Sequence, residues 1–107
     1  MKIIENFITS ISNEGTEMKY IYSIIEGNYN GGEAYGIEVE RQDIKNGQPI
    51  NIKKDNIKLI SNNRDKVYEL LKLLYKNQVS PIHLIEILGE YVDEYIYDFK
   101  EKEIQLL

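Results

Sequence analysis

His83 is the one histidine in a chain without cysteine, so it is the side chain best suited to proton transfer near neutral pH. Paired with Glu86 or Glu90, it could act as a general acid or base. The chain has no nucleophile at a recognisable spacing and no Gly-rich strand-to-helix turn that would bind an oxyanion. We therefore expect a structural or surface role for His83, and we predict a protein that is not an enzyme and has no catalytic residue.

Metal and cofactor sites are equally poorly supported. His83 with Glu86 and Glu90 offers too few nitrogen and sulfur ligands for zinc. The absence of cysteine also removes disulfides and thiolate sites. The Gly-rich sequence GNYNGG, at residues 27–32, joins two predicted strands and lacks the following helix that phosphate loops require. No cofactor and no metal are expected.

Acidic residues cluster in a helix predicted over residues 81–100. Residues 81–107 carry seven carboxylates and two lysines, a local charge of −5 that equals the net charge of the chain. At about 100° per residue, six of these carboxylates share one arc of the helix; they are Glu86, Glu90, Asp93, Glu94, Asp98 and Glu101. Such an arc is either a solvated face or a surface that recognises a basic partner. Tyr97 beside the arc and Tyr29 in a turn are aromatic candidates for an exposed contact.

Two amphipathic helices position these residues. The first is predicted from Asn62 or Asn63 to Asn77, and the second starts at Ser80-Pro81, where the Ser hydroxyl would cap and the Pro ring presets φ. Gly89 inside the second helix suggests close packing against a neighbouring element. The predicted core stripe of the first helix is Val67, Leu70, Leu71 and Leu74, and that of the second is Leu84, Leu88, Tyr91, Val92, Tyr95 and Phe99, with Ile85 and Ile96 at its edge.

Hairpin signals divide the first sixty residues. The turn sequences are Asn13-Glu14-Gly15, Asn30-Gly31 and Asn46-Gly47. Residues 33–41 alternate in polarity, as strands with one buried face do, and residues 17–26 have one aromatic face and one mixed face. Residues 2–11 carry apolar side chains at both odd-numbered and even-numbered positions, which predicts a strand buried on both sides. The parity of the isoleucines changes across residues 54–56, which predicts a bulge or break there.

These elements predict an α+β fold, in which a four-stranded antiparallel meander precedes two amphipathic helices packed on one face (ββββαα). We expect one domain over residues 1–107, with strands within about 2–60, helices at about 63–77 and 81–100, and a frayed tail at 101–107. At 107 residues the chain is long enough for one core and too short for two.

Composition bears on the source, the cellular location and the kind of partner. Almost half of the residues are Ile, Lys, Asn or Tyr and one is Ala, a bias typical of AT-rich coding in a bacterium or its mobile elements. The opening residues lack a signal-peptide cleavage site, and no apolar run approaches the roughly 18 residues that span a membrane. We expect a cytoplasmic protein. An acidic chain with two arginines is poorly suited to phosphate backbones, so a protein partner is expected rather than nucleic acid or a membrane.

One family resemblance is visible in the helical half. The sequence NQVSPIHLIEILGEYVDEY, together with KVYELLKLL and AYGIEVE, resembles a family of small uncharacterised proteins from clostridia and related Firmicutes. The resemblance covers most of the chain after residue 17, and Val79-Ser80-Pro81 with His83-Leu84 is its most specific part. It implies a shared fold and a bacterial origin, but no activity and no functional residue.

The leading hypothesis is a small non-catalytic interaction or regulatory domain that acts through the acidic helix face or a sheet edge. A second hypothesis is a mobile-element inhibitor that mimics nucleic-acid charge and blocks a nucleic-acid-binding protein. A third is a DNA-binding helix-turn-helix, which the short connection at residues 77–80 permits, although four carboxylates would then meet phosphates. A homodimer through the apolar rim of the second helix or a sheet edge is a further alternative.

Overall fold

The computed structural model describes the backbone of residues 2–105 and the side chains of residues 2–99. Four strands precede two helices in the ββββαα order that the sequence predicts. The strands are β1 (Lys2–Asn13), β2 (Thr16–Tyr29), β3 (Gly32–Lys45) and β4 (Gln48–Ser61). The helices are α1 (Arg64–Lys76) and α2 (Leu84–Gln105), and a single 3₁₀ turn (Pro81–His83) lies between them.

Tight turns connect the strands into one antiparallel sheet of order β1-β2-β3-β4. Each two-residue turn has positive φ at both positions: 50° and 83° at Glu14-Gly15, 50° and 77° at Asn30-Gly31, and 54° and 75° at Asn46-Gly47. Asparagine and glycine tolerate this backbone conformation, and its twist matches that of the flanking strands. The three hairpins predicted from the sequence are therefore confirmed.

The core lies on one face of this sheet. Tyr22 on β2 is paired with Val39 on β3, and both side chains are fully buried. Apolar side chains of both helices join the same cluster, including the whole predicted stripe of α1; the buried helical members are Val67, Leu70, Leu71, Leu74, Leu84 and Leu88. The Tyr22 hydroxyl donates to the carbonyl oxygen of Val79 at 3.0 Å. This bond ties the connection between the helices to the middle of the sheet.

The helices cover the part of the sheet that ends at the Asn30-Gly31 turn. Phe7 on β1 packs against the rings of Tyr68 and Tyr75 on α1, at 5.8 and 5.2 Å between centroids. Farther from that turn, Tyr20 is buried beneath the guanidinium of Arg41, which lies 5.8 Å from the ring centroid. Residues 45–54 are exposed, so the hairpin tips project beyond the core of a molecule 58 Å long.

The two helix starts use different chemistry. Asn63 caps α1, because its side-chain oxygen accepts hydrogen bonds from the backbone nitrogens of Asp65 and Lys66 at 3.0 and 3.3 Å. Ser80 occupies the cap position before Pro81, but its hydroxyl makes no capping hydrogen bond. The prediction of a Ser cap was therefore wrong. At this start, the backbone N–H of His83 donates to the Ser80 carbonyl oxygen at 3.0 Å and forms the 3₁₀ turn.

Three other features differ from the sequence-based expectations. β1 alternates between exposed and half-buried residues, because it is an edge strand covered on one face only. The register is regular at residues 53–56; it shifts instead between Tyr35 and Ile37 and between Asp43 and Ile44. At the first shift a Cβ on Gly36 would overlap the carbonyl oxygens of Ile57 and Lys58. Finally, α2 continues to Gln105, past the predicted end at residue 100.

Candidate interaction surface

The long helix α2 presents distinct side chains around its circumference. Its inner side buries Leu84 and Leu88 fully, and the half-buried Tyr91, Val92 and Tyr95 pack against the same core. This agrees with the predicted core stripe, because residues spaced three and four apart lie on one side of a helix. The remaining circumference of α2 carries the residues that the sequence assigned to a recognition surface.

Four carboxylates are exposed on the outer side of α2, and we call them the acidic face: Glu86, Glu90, Asp93 and Glu94. Glu86 lies 3.2 Å from the His83 ring nitrogen Nδ1. Within residues 2–99, Glu90, Asp93 and Glu94 form no ion pair. Carboxylates three or four residues apart repel each other and weaken a helix slightly. Glu90, Asp93 and Glu94 are therefore an uncompensated patch of negative charge in the part of the chain that the structure describes.

Asp98 does not belong to this face, so the sequence-based assignment of Asp98 to the exposed arc was wrong. Its carboxylate turns towards the start of α1, where it accepts a hydrogen bond from the Ser61 hydroxyl at 2.6 Å. The Lys66 ammonium group lies 2.9 and 3.1 Å from its two oxygens. The Asn62 side chain donates to the Asp98 carbonyl oxygen at 3.2 Å. Asp98 thus fastens α2 to the β4–α1 junction.

The pKa of Asp98 reflects this environment. Burial raises the pKa, but the hydrogen bond from Ser61 and the charge of Lys66 lower it by more, so the pKa of Asp98 lies below its usual value. Asp98 is consequently charged at neutral pH. Its charge is matched by Lys66, which leaves it little attraction for an external partner.

His83 lies on the protein surface. It lies at the end of the 3₁₀ turn with an exposed side chain, and its Nδ1 atom faces Glu86 one turn farther on. Glu90 does not contribute to this pair. No group of three metal-ligating side chains occurs in the described part of the chain. The His83–Glu86 contact is a hydrogen bond on the protein surface.

The remaining predicted contact residues fall into three cases. Tyr97 is 60% exposed beside the acidic face, as expected. Tyr29 is partly exposed, but its ring packs edge-on against Phe99, with centroids 5.0 Å apart, so it closes the end of the core. Glu101 lies outside the residues whose side chains the structure describes. The tail prediction for residues 101–107 also reaches beyond the described residues, since the structure describes the backbone only to residue 105.

An apolar stripe runs beside the acidic face, and the helical pattern of the sequence predicts its two isoleucines only at the edge of the core. The stripe consists of Ile85, Gly89, Val92 and Ile96 and is preceded by Ile82. Ile82, Ile85 and Ile96 are 72%, 62% and 47% exposed. A Cβ on Gly89 would meet no atom within 4 Å, so the expectation of close packing there was wrong. The sequence signal that could have identified this stripe is the alternating spacing of three and four residues between its members.

A concave surface lies between β1 and α1, away from the acidic face and the apolar stripe. It is a shallow groove of about 640 Å³ lined mainly by Phe7, Tyr68, Tyr75, Lys72 and Lys76. Lys72 already pairs with Glu69 at 3.2 Å and lies 5.3 Å from the Tyr68 ring centroid. The groove has an aromatic floor, but it lacks a set of buried polar groups that converge on one point, as small-molecule sites usually have.

The fold and this surface together define a class: a small α+β domain with a four-stranded antiparallel meander and a C-terminal helix that exposes both acidic and apolar residues. The chain belongs to a family of unknown function, DUF6514, whose model matches residues 1–94. The match includes the sheet, α1 and the whole acidic face. No curated protein and no solved structure matches the chain.

Among the described residues, neither helix combines the length and the apolar character that crossing a bilayer demands.

Proposed function

We propose that this protein is a non-catalytic interaction domain that recognises a basic partner protein through α2. The observation that carries the proposal is the acidic face: Glu90, Asp93 and Glu94 are exposed without an ion pair among the described residues, while Asp98 is matched by Lys66. Uncompensated negative charge attracts basic surfaces and raises their association rate. Its effect falls as salt screens the charges.

The position of the acidic face supports recognition by a rigid element. Leu84 and Leu88 anchor α2 in the core, and the Asp98 contacts with Ser61 and Lys66 fix the same helix about three turns farther on. The carboxylates therefore project from a helix that is held at two points. Binding to such a preorganised surface loses less conformational entropy than binding to a loop.

Charge spacing favours this proposal over mimicry of nucleic acid. The acidic face extends from Glu86 to Glu94, which is about 12 Å along the helix axis at about 1.5 Å per residue. Duplex DNA carries one charge per about 1.7 Å, or about seven charges over that length. Four carboxylates provide roughly half of that density. A direct DNA-binding role for α2 is disfavoured because the same carboxylates would approach phosphates.

The composition supports a bacterial setting for this interaction. The enrichment in Ile, Lys and Asn with a single Ala is typical of AT-rich coding in bacteria, and the sequence resemblance to small proteins of clostridia and related Firmicutes agrees with it. We place the interaction in the cytoplasm. Fluorescence microscopy of the tagged protein in its source cells tests this location. Signal throughout the cell body supports it, and a signal confined to the envelope contradicts it.

Affinity capture with a matched pair of charge variants tests the proposed function. The wild-type protein should capture a basic protein from a lysate of its source organism, and Glu90→Lys combined with Glu94→Lys should abolish the capture. Glu14→Lys combined with Glu17→Lys is the control, because it changes the net charge equally at the distant β1–β2 turn. Equal loss with both pairs, or no loss with either pair, contradicts the proposal. A partner that is released by added duplex DNA would favour the inhibitor alternative.

A further inference from the structure

We infer that the apolar stripe of α2 docks an amphipathic helix of the partner protein, which carries Lys or Arg opposite Glu86 and Asp93. This inference rests on the proposed interaction function and adds the shape and the chemistry of the bound segment. The side chains of Ile85 and Ile96 are 62% and 47% exposed, although both are large and apolar. Neighbouring exposed apolar side chains with a polar rim are typical of binding surfaces.

The spacing of the stripe specifies a helical occupant. Ile85, Gly89, Val92 and Ile96 follow one another at intervals of four, three and four residues, the repeat that places a and d positions along one side of a helix. At about 100° per residue these four positions fall within an arc of about 60°. A second helix packs along such a stripe by inserting its own apolar side chains between those of the first.

Gly89 provides the space for such an insertion. It lies in the middle of the stripe, and a Cβ at this position would meet nothing within 4 Å. On the buried side of the stripe, the half-buried Val92 packs against the core. The isoleucines on either side of Gly89 are exposed, so the stripe has a depression between two apolar projections. A leucine from a partner helix fits a depression of this kind.

The flanking charges select the partner. With Ile85 and Val92 at d and Gly89 and Ile96 at a, the e positions are Glu86 and Asp93, whereas the g positions are Leu88 and Tyr95 on the core side. In an antiparallel pair of helices the e positions of the two helices face each other. A second copy of this chain would therefore oppose carboxylates to carboxylates, while a helix with Lys or Arg at these positions forms ion pairs.

Binding of a synthetic peptide tests the inference. The probe is a helical peptide of about three heptads with leucine at a and d and lysine at e and g. The comparison peptide has glutamate in place of each lysine. Fluorescence anisotropy with the full-length protein should show saturable binding of the lysine peptide. The glutamate peptide should bind at least about tenfold more weakly. No saturable binding of the lysine peptide would overturn the inference.

Matched protein variants separate the stripe from the charge. Ile85→Ser combined with Ile96→Ser should weaken binding of the lysine peptide about tenfold. Ile52→Ser is the control, because Ile52 is 57% exposed on β4, and it should leave the affinity unchanged. Thermal unfolding confirms that each variant is folded before it is compared.

The outcomes distinguish this inference from the proposed function. If Glu90→Lys with Glu94→Lys abolishes capture of the cellular partner, but the serine variants bind the lysine peptide normally, the acidic face is functional and the stripe inference fails. If the charge variants capture the partner normally, the proposed function itself fails. If size-exclusion chromatography shows a wild-type dimer that Ile85→Ser with Ile96→Ser dissociates, the occupant is a second copy and the inference is also overturned.

Discussion

The two helices of this domain follow the same amphipathic pattern but use it differently. α1 buries its four core residues, Val67, Leu70, Leu71 and Leu74, and pairs Lys66 and Lys72 on its outer side with acidic groups. α2 buries leucines as well, yet it leaves isoleucines exposed and unpaired carboxylates beside them. Core packing and ion pairs within the fold account for these six residues of α1. The outer side of α2 contains apolar and charged groups that the described fold does not use, and this difference identifies it as the candidate surface.

The largest expected effect is a difference in stability between the two helices. Leu71→Ala in α1 should lower the free energy of unfolding by about 2–5 kcal/mol, because it leaves a cavity at a fully buried site. Ile85→Ala in α2 should change it by less than about 0.5 kcal/mol, because the side chain is mostly exposed. Urea unfolding monitored by circular dichroism measures both. A loss of several kcal/mol from Ile85→Ala would mean that the stripe stabilises the fold.

The second prediction concerns the contact that joins the helices. Asp98→Asn should destabilise the protein by about 1.5–3 kcal/mol at pH 7, because hydrogen bonds and ion pairs involving a charged, mostly buried group are lost. Asp93→Asn is the control on the exposed acidic face and should have almost no effect. Urea unfolding of both variants measures the difference.

The pH dependence of this contact has a defined sign. The pKa of Asp98 is lowered in the folded protein, whereas an unfolded Asp has a pKa of about 3.9. The contact therefore contributes stability above about pH 4, and this contribution is lost as the pH falls through the lower folded pKa. The stability gap between wild type and Asp98→Asn should narrow below about pH 4. A gap that is constant from pH 7 to pH 3 would contradict this account.

The third prediction uses two glycines with opposite surroundings. Gly89→Ala should stabilise the protein by up to about 1 kcal/mol, because alanine favours a helix and its methyl group enters open space. Gly36→Ala should destabilise it by about 1–3 kcal/mol, because the methyl group would overlap two carbonyl oxygens of β4. Thermal unfolding of both variants provides the comparison. Destabilisation by Gly89→Ala would show that the centre of the stripe is already filled in the folded protein.

The smallest expected effect is that of the lone histidine. His83→Ala should change the free energy of unfolding by no more than about 0.5 kcal/mol, because its pairing with Glu86 is exposed to water. Urea unfolding of the wild-type protein and the variant at pH 7 measures the contribution. A loss of 2 kcal/mol or more, on the order of a buried charged hydrogen bond, would require a structural role that the surface pair does not explain.

Much of the fold follows from local sequence signals. The Asn-Gly pairs specify turns because they tolerate positive φ, and the leucine spacing of α1 identifies its buried side. The features that sequence reasoning missed depend on long-range contacts. The register shift beside Gly36 requires the approach of β4, and the inward orientation of Asp98 requires Ser61 and Lys66 from elements more than 30 residues away. The helical wheel placed Asp98 in the acidic arc because it could not include these partners.

The sequence anticipated the candidate surface only in part. The acidic face was identified from carboxylate spacing, and its four members are exposed. Ile85 and Ile96 were placed at the edge of the core because a wheel cannot tell which side chains a sheet and a second helix will cover. Their exposure, and the open space at Gly89, became apparent only from the folded structure.

The most direct test of the central claim is to map the binding surface by nuclear magnetic resonance. The labelled wild-type protein is titrated with the lysine peptide, and the chemical-shift changes of backbone amides are followed. The account predicts that the largest changes lie between Ile82 and Tyr97 and that they diminish at high salt. Largest changes in the groove between β1 and α1, or changes that are unaffected by salt, would contradict it.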